Sequence, residues 1–493
     1  MPFVTGPLPQ RLKLVHGFGA VAFGVKDSGF SFFLLPFYNL VLGVDASTVG
    51  AALAAALVID ALVDPLIGHL SDRTYTKWGR RLPWLYLAPW PLALVWTMLW
   101  SPPFTGTPGF WDIVALAVGV RLLLSACEVP SVSLVPEITD DYDDRTTLFR
   151  YRFLSGWLGG LLMMVLTFTV FLPTPQSQLQ PEGYASYGLF GAALIALSVI
   201  GSAAAQHRIV AQLPERRPAP FSITGAFAEI FDAFREKAFV IFALGGLAAY
   251  VLQGMTFSIT QYVNLYVWQF SELAFQLYPA VLFLSVVLMF VIVGPLHRRW
   301  GKPKSAALGA LVGLAFYCSP YVFYLAGAWP TVGTTASTAL LYGFLVCANT
   351  ASVVAIISAT SMVAEIVEAF EERTGQRAEG TFYAGNWLVQ KCATGGGILL
   401  TSLIVQSIDL APGTPQAEVA PETVRQLVWL FMLAATVLAS IAAFWLARFP
   451  ISREQHEARV AARRGRPAPP APATPDPLDQ AVRADPDAHT ITP

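Results

Sequence analysis

Two carboxylates, Asp60 and Asp64, stand four residues apart in IDALVDPLIGHLSDRTYTKWGRR (residues 59–81), where an apolar run gives way to a cluster of cations. At i and i+4 on a helix they share one face, a turn apart, so both can point at the same spot. Two such neighbours cannot both stay ionised without a cation, which suits either proton uptake or coordination of a small hard ion. For Asp64, which precedes Pro65, a structural charge lock with the loop arginines is the alternative. Other charges also interrupt apolar surroundings: Lys26, Asp27, Arg121, Glu128, Arg152 and Lys391. An ionised group at the centre of a membrane span costs about 2.5–3.5 kcal/mol unless it faces water or a partner, so each needs a reason. Carboxylates accept hydrogen bonds from substrate hydroxyls while arginine and lysine donate them, so such groups lining a water-filled cavity at mid-membrane form a polyol site. Arg121 lies two turns before Glu128 on the same face. It either binds an anionic substrate group or pairs with Glu128 or Asp27. Lys26, beside Asp27, is expected to serve in structural pairing.

The elements that must position these residues are transmembrane helices. The chain of 493 residues is 55% hydrophobic and only 13% charged, with a mean hydropathy of +0.55, which is too apolar for one water-soluble core. Runs of about 20 apolar residues, the length of a span, recur at 16–42, 47–71, 82–102, 111–135, 152–173, 186–205, 238–266, 273–296, 304–327, 333–363, 378–406 and 425–447. An all-α membrane protein of twelve helices follows. Cationic loops come after every even-numbered run (for example Arg73, Lys77, Arg80 and Arg81, then Arg298, Arg299, Lys302 and Lys304), while Arg425 is the basic residue on the other side. The positive-inside rule therefore puts both termini in the cytoplasm.

The longest polar interruption, around 206–237, divides the chain into six spans at 1–205 and six at 238–449, and the Pro-, Ala- and Asp-rich end at 450–493 is expected to be a disordered tail. GHLSDRTYTKWGRR after the second span is echoed by GPLHRRWGKPK after the eighth, a weak internal repeat. A net charge of -1 offers no basic face for nucleic acid. Cys127, Cys318, Cys347 and Cys392 all lie in apolar runs, so neither disulfides nor a structural metal is expected. No removable signal peptide is read at the start of the chain. His16, His69 and His297 sit at run ends and read as interfacial, as does the aromatic cluster at 262–268, which could also floor a cavity. GWLGG and ATGGG allow close helix approach. No nucleotide-binding or hydrolytic motif is present, so neither an enzyme nor a cofactor is expected.

The G-x-L-S-D-R loop with its following G-R-R resembles the signature of the major facilitator superfamily, which implies two six-helix bundles around a central cavity. FGVKDSGF, DALVDPLIGHLSDRTYTKWGRRLPW, EVPSVSLVPEITDDYDDRTTLFRYRF and MVAEIVEAFEERTGQRAEGTFYAGNWLVQK are similar to the glycoside-pentoside-hexuronide:cation symporters, of which the melibiose permease is the best known. That resemblance implies that Asp60 and Asp64 bind the coupling cation with Ser125 as a hydroxyl ligand, and that Asp27, Glu128, Arg152 and Lys391 contact the sugar. Asp72, Arg73, Arg80 and Arg81 become a gating loop. Departures matter too. Val63 stands where sodium-using relatives place an Asn, leaving a poor cage for an ion that wants about six oxygen ligands, so proton is favoured over sodium. Val132 stands where a sugar-stacking Trp is expected, and Leu57 where an Arg is frequent, a charge that Arg121 could replace.

The expectation is a monomeric secondary symporter in the cytoplasmic membrane, coupling cation entry to uptake of a sugar, glycoside or sugar acid. A lysophospholipid carrier on the same fold is the alternative, and a lateral apolar opening between bundles would favour it. A sensor that binds without ion-dependent flux is the third reading.

Overall fold

A computed structural model of the protein describes residues 4, 6–211, 228, 231–375, 378–408 and 410–450. Residues 212–227, 229 and 230 of the expected linker and 451–493 of the expected tail lie outside these. The described chain is helical because a bilayer leaves no water for backbone N–H and C=O groups, and a helix satisfies them internally. In order, the helices are α1 (Gln10–Val41), α2 (Ala46–Arg73), the shorter α3 (Leu82–Leu87) and α4 (Pro89–Trp100), α5 (Phe110–Ile138), α6 (Asp143–Phe171), α7 (Pro181–Val210), α8 (Lys237–Val267), α9 (Glu272–Leu325), α10 (Thr335–Thr374), α11 (Glu379–Ser407) and α12 (Pro421–Ala447). Among the described residues, ten of these are long and apolar enough to cross a membrane, which makes the protein a multi-pass integral membrane protein.

Several boundaries differ from the hydropathy reading. The third apolar run is divided at Ala88 because Pro89 brings no N–H to the helix ladder. The eighth and ninth runs form one helix of 54 residues, broken at Gly301, whose φ of 73° and ψ of 170° are not helical. At 1.5 Å per residue such a helix would far exceed a hydrocarbon core of about 30 Å, so the chain turns at that glycine. The tenth run continues as helix through its acidic end to Thr374 and stops at Gly375, left-handed at φ 72°, whose N–H bonds Glu371 O at 2.8 Å. Arg152 does not open the fifth span. The helix starts nine residues earlier, where the Asp141 carboxylate accepts from Asp144 N at 2.8 Å, because polar residues that hydropathy excludes still form good helix.

Small residues allow the helices that carry the charges to approach closely. A Cβ on Gly24 of α1 would lie 1.7 Å from Gly156 O of α6, and one on Gly397 of α11 would lie 2.2 Å from Val251 O of α8. The GWLGG and ATGGG segments thus allow backbone-to-backbone contact. Elsewhere the first half is filled by rings: Trp96 and Trp100 of α4 and Tyr184 and Tyr187 of α7 are fully buried, with Trp100 and Tyr184 stacked at 6.1 Å between ring centres.

Gly24→Ala places its methyl against backbone that cannot move aside. Overpacking costs about 1–3 kcal/mol, so the detergent-solubilised variant is expected to melt several degrees below wild type in a thermal-shift assay, while Gly343→Ala, which meets nothing within 4 Å, leaves the midpoint unchanged.

Candidate functional site

Where α2, α5 and α11 meet, four charged side chains and one hydroxyl converge. Asp60 is buried, and Asp64, one turn nearer the end of α2, is partly exposed. Lys391 of α11 reaches between them, with Nζ 2.9 Å from Asp60 Oδ2 and 2.5 Å from Asp64 Oδ2. Arg121 of α5 donates from Nη1 to Asp60 Oδ2 at 3.2 Å, and its guanidinium lies 4.6 Å from the centre of the Phe30 ring. Ser125, one turn along α5, has its Oγ 3.2 Å from Asp60 Oδ1 and 2.7 Å from Asp64 Oδ1. All four carboxylate oxygens therefore have partners.

This arrangement changes several sequence readings. Asp64 pairs with Lys391 and Ser125, not with the loop arginines, because α11 delivers an ammonium at closer range. The partner of Arg121 is Asp60, across a helix interface, in place of Glu128 on its own helix or Asp27. Lys391, placed by the resemblance at the sugar, lies on the acidic pair. Lys26 and Asp27 pair with each other at 3.6 Å, and Lys26 also lies 4.4 Å from the Phe23 ring centre. Glu128 and Arg152 line one cavity with Phe23, Ser131 and Ser202, and Arg152 donates to Ser131 Oγ at 2.6 Å. At about 10 Å³ this cavity has room for one water and not for a sugar. Asp27 does not line it.

The two ends of the helices are held differently. At the end away from the cationic loops, the halves are stitched together: Tyr262 OH donates to Asn39 Oδ1 at 2.9 Å, Gly413 N to Leu40 O at 2.8 Å, and Phe32 packs on Phe257 at 4.9 Å. The 262–268 aromatics belong to this buried contact and not to a lipid-facing belt. At the cationic end, several ion pairs among the described residues join helices of the same half. Arg81 binds Asp72, Ser71 at 2.6 Å and Glu137 at 3.1 Å, and Arg80 binds Glu137 at 2.9 Å. In the second half Lys302 binds Glu365 at 2.9 Å. Glu137 and Glu365 escaped the sequence reading, although each sits in a matching stretch, VPEI and VAEI. His16 is not interfacial but fully buried, with Nδ1 3.1 Å from Gln206 Oε1, because α7 packs across it.

The sequence matches the MFS/sugar transport protein family over residues 15–453. It is 28% identical over 523 aligned residues to an uncharacterized symporter, sll1374, of Synechocystis sp., covering 90% of this chain and 94% of that one. It is 30% identical over 162 residues to the isoprimeverose transporter of Lactiplantibacillus pentosus, covering 32% of this chain and 33% of that one. Its fold resembles that of the nucleoside transporter NupG, with a TM-score of 0.62 at 16% identity, covering 90% of this chain and 100% of that one.

Removing Lys391 leaves two carboxylates a turn apart with Arg121 as their cation. Lys391→Ala is expected to be destabilised on the order of 3 kcal/mol, the scale for breaking a buried pair, somewhat moderated because Lys391 is partly exposed. Adding Asp64→Asn removes the surplus charge, so the double variant should regain part of the loss in melting temperature.

Proposed function

The chain belongs to the MFS/sugar transport protein family, a family of transporters and not enzymes, and from that premise we propose that it is a symporter driving uptake of a sugar, glycoside or sugar acid with proton entry. Relatives named as a symporter and as an isoprimeverose transporter support the reading in its general form. In this reading twelve spans form two six-helix bundles, at 1–205 and 238–449. The ten candidate helices yield that number when α3 with α4 is taken as one span and α9 as two, divided at Gly301. With the cationic loops and both termini in the cytoplasm, the stitched end faces outward.

The observation that carries proton coupling is the position of Ser125. A neutral hydroxyl has one hydrogen, so it donates to only one of the two carboxylates it touches. The second contact becomes a hydrogen bond when the other carboxylate is itself protonated. One proton thus completes the line Asp60 Oδ1, Ser125 Oγ, Asp64 Oδ1. Sodium finds a weaker fit: Asp60 Oδ2 and Asp64 Oδ2 already face cations, and Val63 brings no oxygen to reach the about six that a hard ion wants. Because Lys391 belongs to the second half and its carboxylates to the first, neutralising one carboxylate weakens the hold between halves. That change allows the bundles to rock. Glu128 and Arg152, which the family resemblance places at the sugar, then accept from and donate to the substrate's hydroxyls once that movement opens the space around them. Ring pairs Trp157–Phe283 and Phe168–Phe275, at 5.6 and 5.2 Å, pack α6 against α9. They speak against a lipid entering sideways at that seam.

Proteoliposomes holding a pH dye test the proposal. A transported sugar is expected to acidify the lumen without sodium, and Asp64→Asn should reduce both sugar uptake and acidification at least about tenfold, the effect of about 1.4 kcal/mol at the barrier. Uptake that requires sodium and leaves internal pH unchanged would overturn it.

A further inference from the structure

His16, fully buried, is a histidine that the transport scheme leaves unused, and it begins a line of side chains with a direction. A neutral imidazole has one N–H and one bare nitrogen. Nδ1 lies 3.1 Å from Gln206 Oε1, whereas Nε2 is buried without a hydrogen-bond partner. Orphaned buried N–H groups are rarer than under-satisfied acceptors, so the hydrogen belongs on Nδ1. Gln206 then accepts from His16 through Oε1 and donates from Nε2 to Ser202 Oγ at 3.2 Å. Ser202 is left with its own hydrogen to place.

Ser202 lines the water-sized cavity, and the same pattern recurs on another of its walls. Arg152 donates to Ser131 Oγ, so that hydroxyl too has its oxygen engaged and its hydrogen free. Several buried hydroxyls elsewhere turn back onto a carbonyl of their own helix, as Thr167 does to Met163 O at 2.6 Å and Ser285 to Val281 O at 2.7 Å. Neither Ser131 nor Ser202 has an acceptor among the described residues. Glu128, on the wall of the same cavity, has the complementary deficit: no group among the described residues donates a hydrogen bond to its carboxylate. A carboxylate inside the bilayer needs water or a partner. One water in about 10 Å³ accepts from both hydroxyls and donates to the carboxylate, and three bonds are typical of a buried water.

We propose that this cavity is a built site for a single water, held by Ser131 and Ser202 against Glu128, and that His16 is the positioning residue that aims Ser202 into it. The water links α5 to α7 and keeps the Glu128 carboxylate hydrated inside the first half. The site needs neither substrate nor coupling ion, so it stands or falls apart from the symport reading. A cryo-electron microscopy map of the full chain in lipid nanodiscs, at a resolution that shows ordered waters, tests it. Wild type is expected to hold one water within hydrogen-bond distance of Glu128, Ser131 and Ser202. Ser202→Ala and His16→Leu should lose it, as should Gln206→Leu, which breaks the same line one step later. His16→Asn, whose amide offers an N–H near the place of Nδ1, should keep it. Melting temperatures give a second readout: because His16 acts through Ser202, Ser202→Ala should lower the midpoint of wild type by several degrees and that of His16→Leu by no more than about a degree, whereas independent losses add. No water in wild type, or a water that persists in Ser202→Ala, would overturn the proposal and leave sugar uptake untouched. A water retained in both His16→Leu and Gln206→Leu, or additive melting losses, would overturn the role of His16.

Discussion

An ionised side chain in a bilayer needs water or a partner of opposite charge, and the contact of Lys391 with Asp60 and Asp64 supplies the partner across the boundary between the two halves of the chain. The carboxylates come from α2 and the ammonium from α11, so these helices must lie almost in backbone contact. Small residues make this possible: a Cβ on Gly395 of α11 would lie 3.2 Å from Ala54 Cα of α2, and one on Gly50 would meet Ser402. Arg121 and Ser125 close the cluster from α5, where one helical turn sets them beside Asp60 and beside both carboxylates respectively. Packing and electrostatics are thus one constraint, because neither the charges nor the glycines make sense alone.

The same division organises the ends of the molecule. Hydrogen bonds between Asn39 and Tyr262 and between Leu40 and Gly413 join the halves at one end. At the other, Arg80 with Glu137 and Lys302 with Glu365 tie helices inside their own halves, each cation following a Trp–Gly pair whose glycine has positive φ. Holding each half rigid while the contacts between halves vary is what a rocking carrier needs.

Much of this was legible in the sequence. The spacing of Asp60 and Asp64 put them on one face, apolar runs located the spans, and the positions of Gly156 and Gly397 marked close approach. What escaped has physical reasons. Hydropathy could not show that the polar stretch before Arg152 is helical, since it measures partition and not hydrogen bonding. It separated α9 into two runs at a charged turn where the backbone breaks at one glycine. Partners 61 or 327 residues apart, as for Arg121 with Asp60 and Lys391 with Asp64, follow from which helices pack together, which no local pattern encodes. His16 looked interfacial because it stands at the start of an apolar run, yet α7 covers it.

The central claim is that the Asp60–Ser125–Asp64 line takes up a proton as substrate binds. Proton uptake by the purified protein, followed with a pH dye in weakly buffered detergent solution while a binding substrate is titrated, tests it without any membrane flux. The account predicts about one proton taken up per substrate bound in wild type and none in Asp64→Asn. Equally tight binding with no proton uptake in wild type, or binding that appears only with sodium, would contradict it.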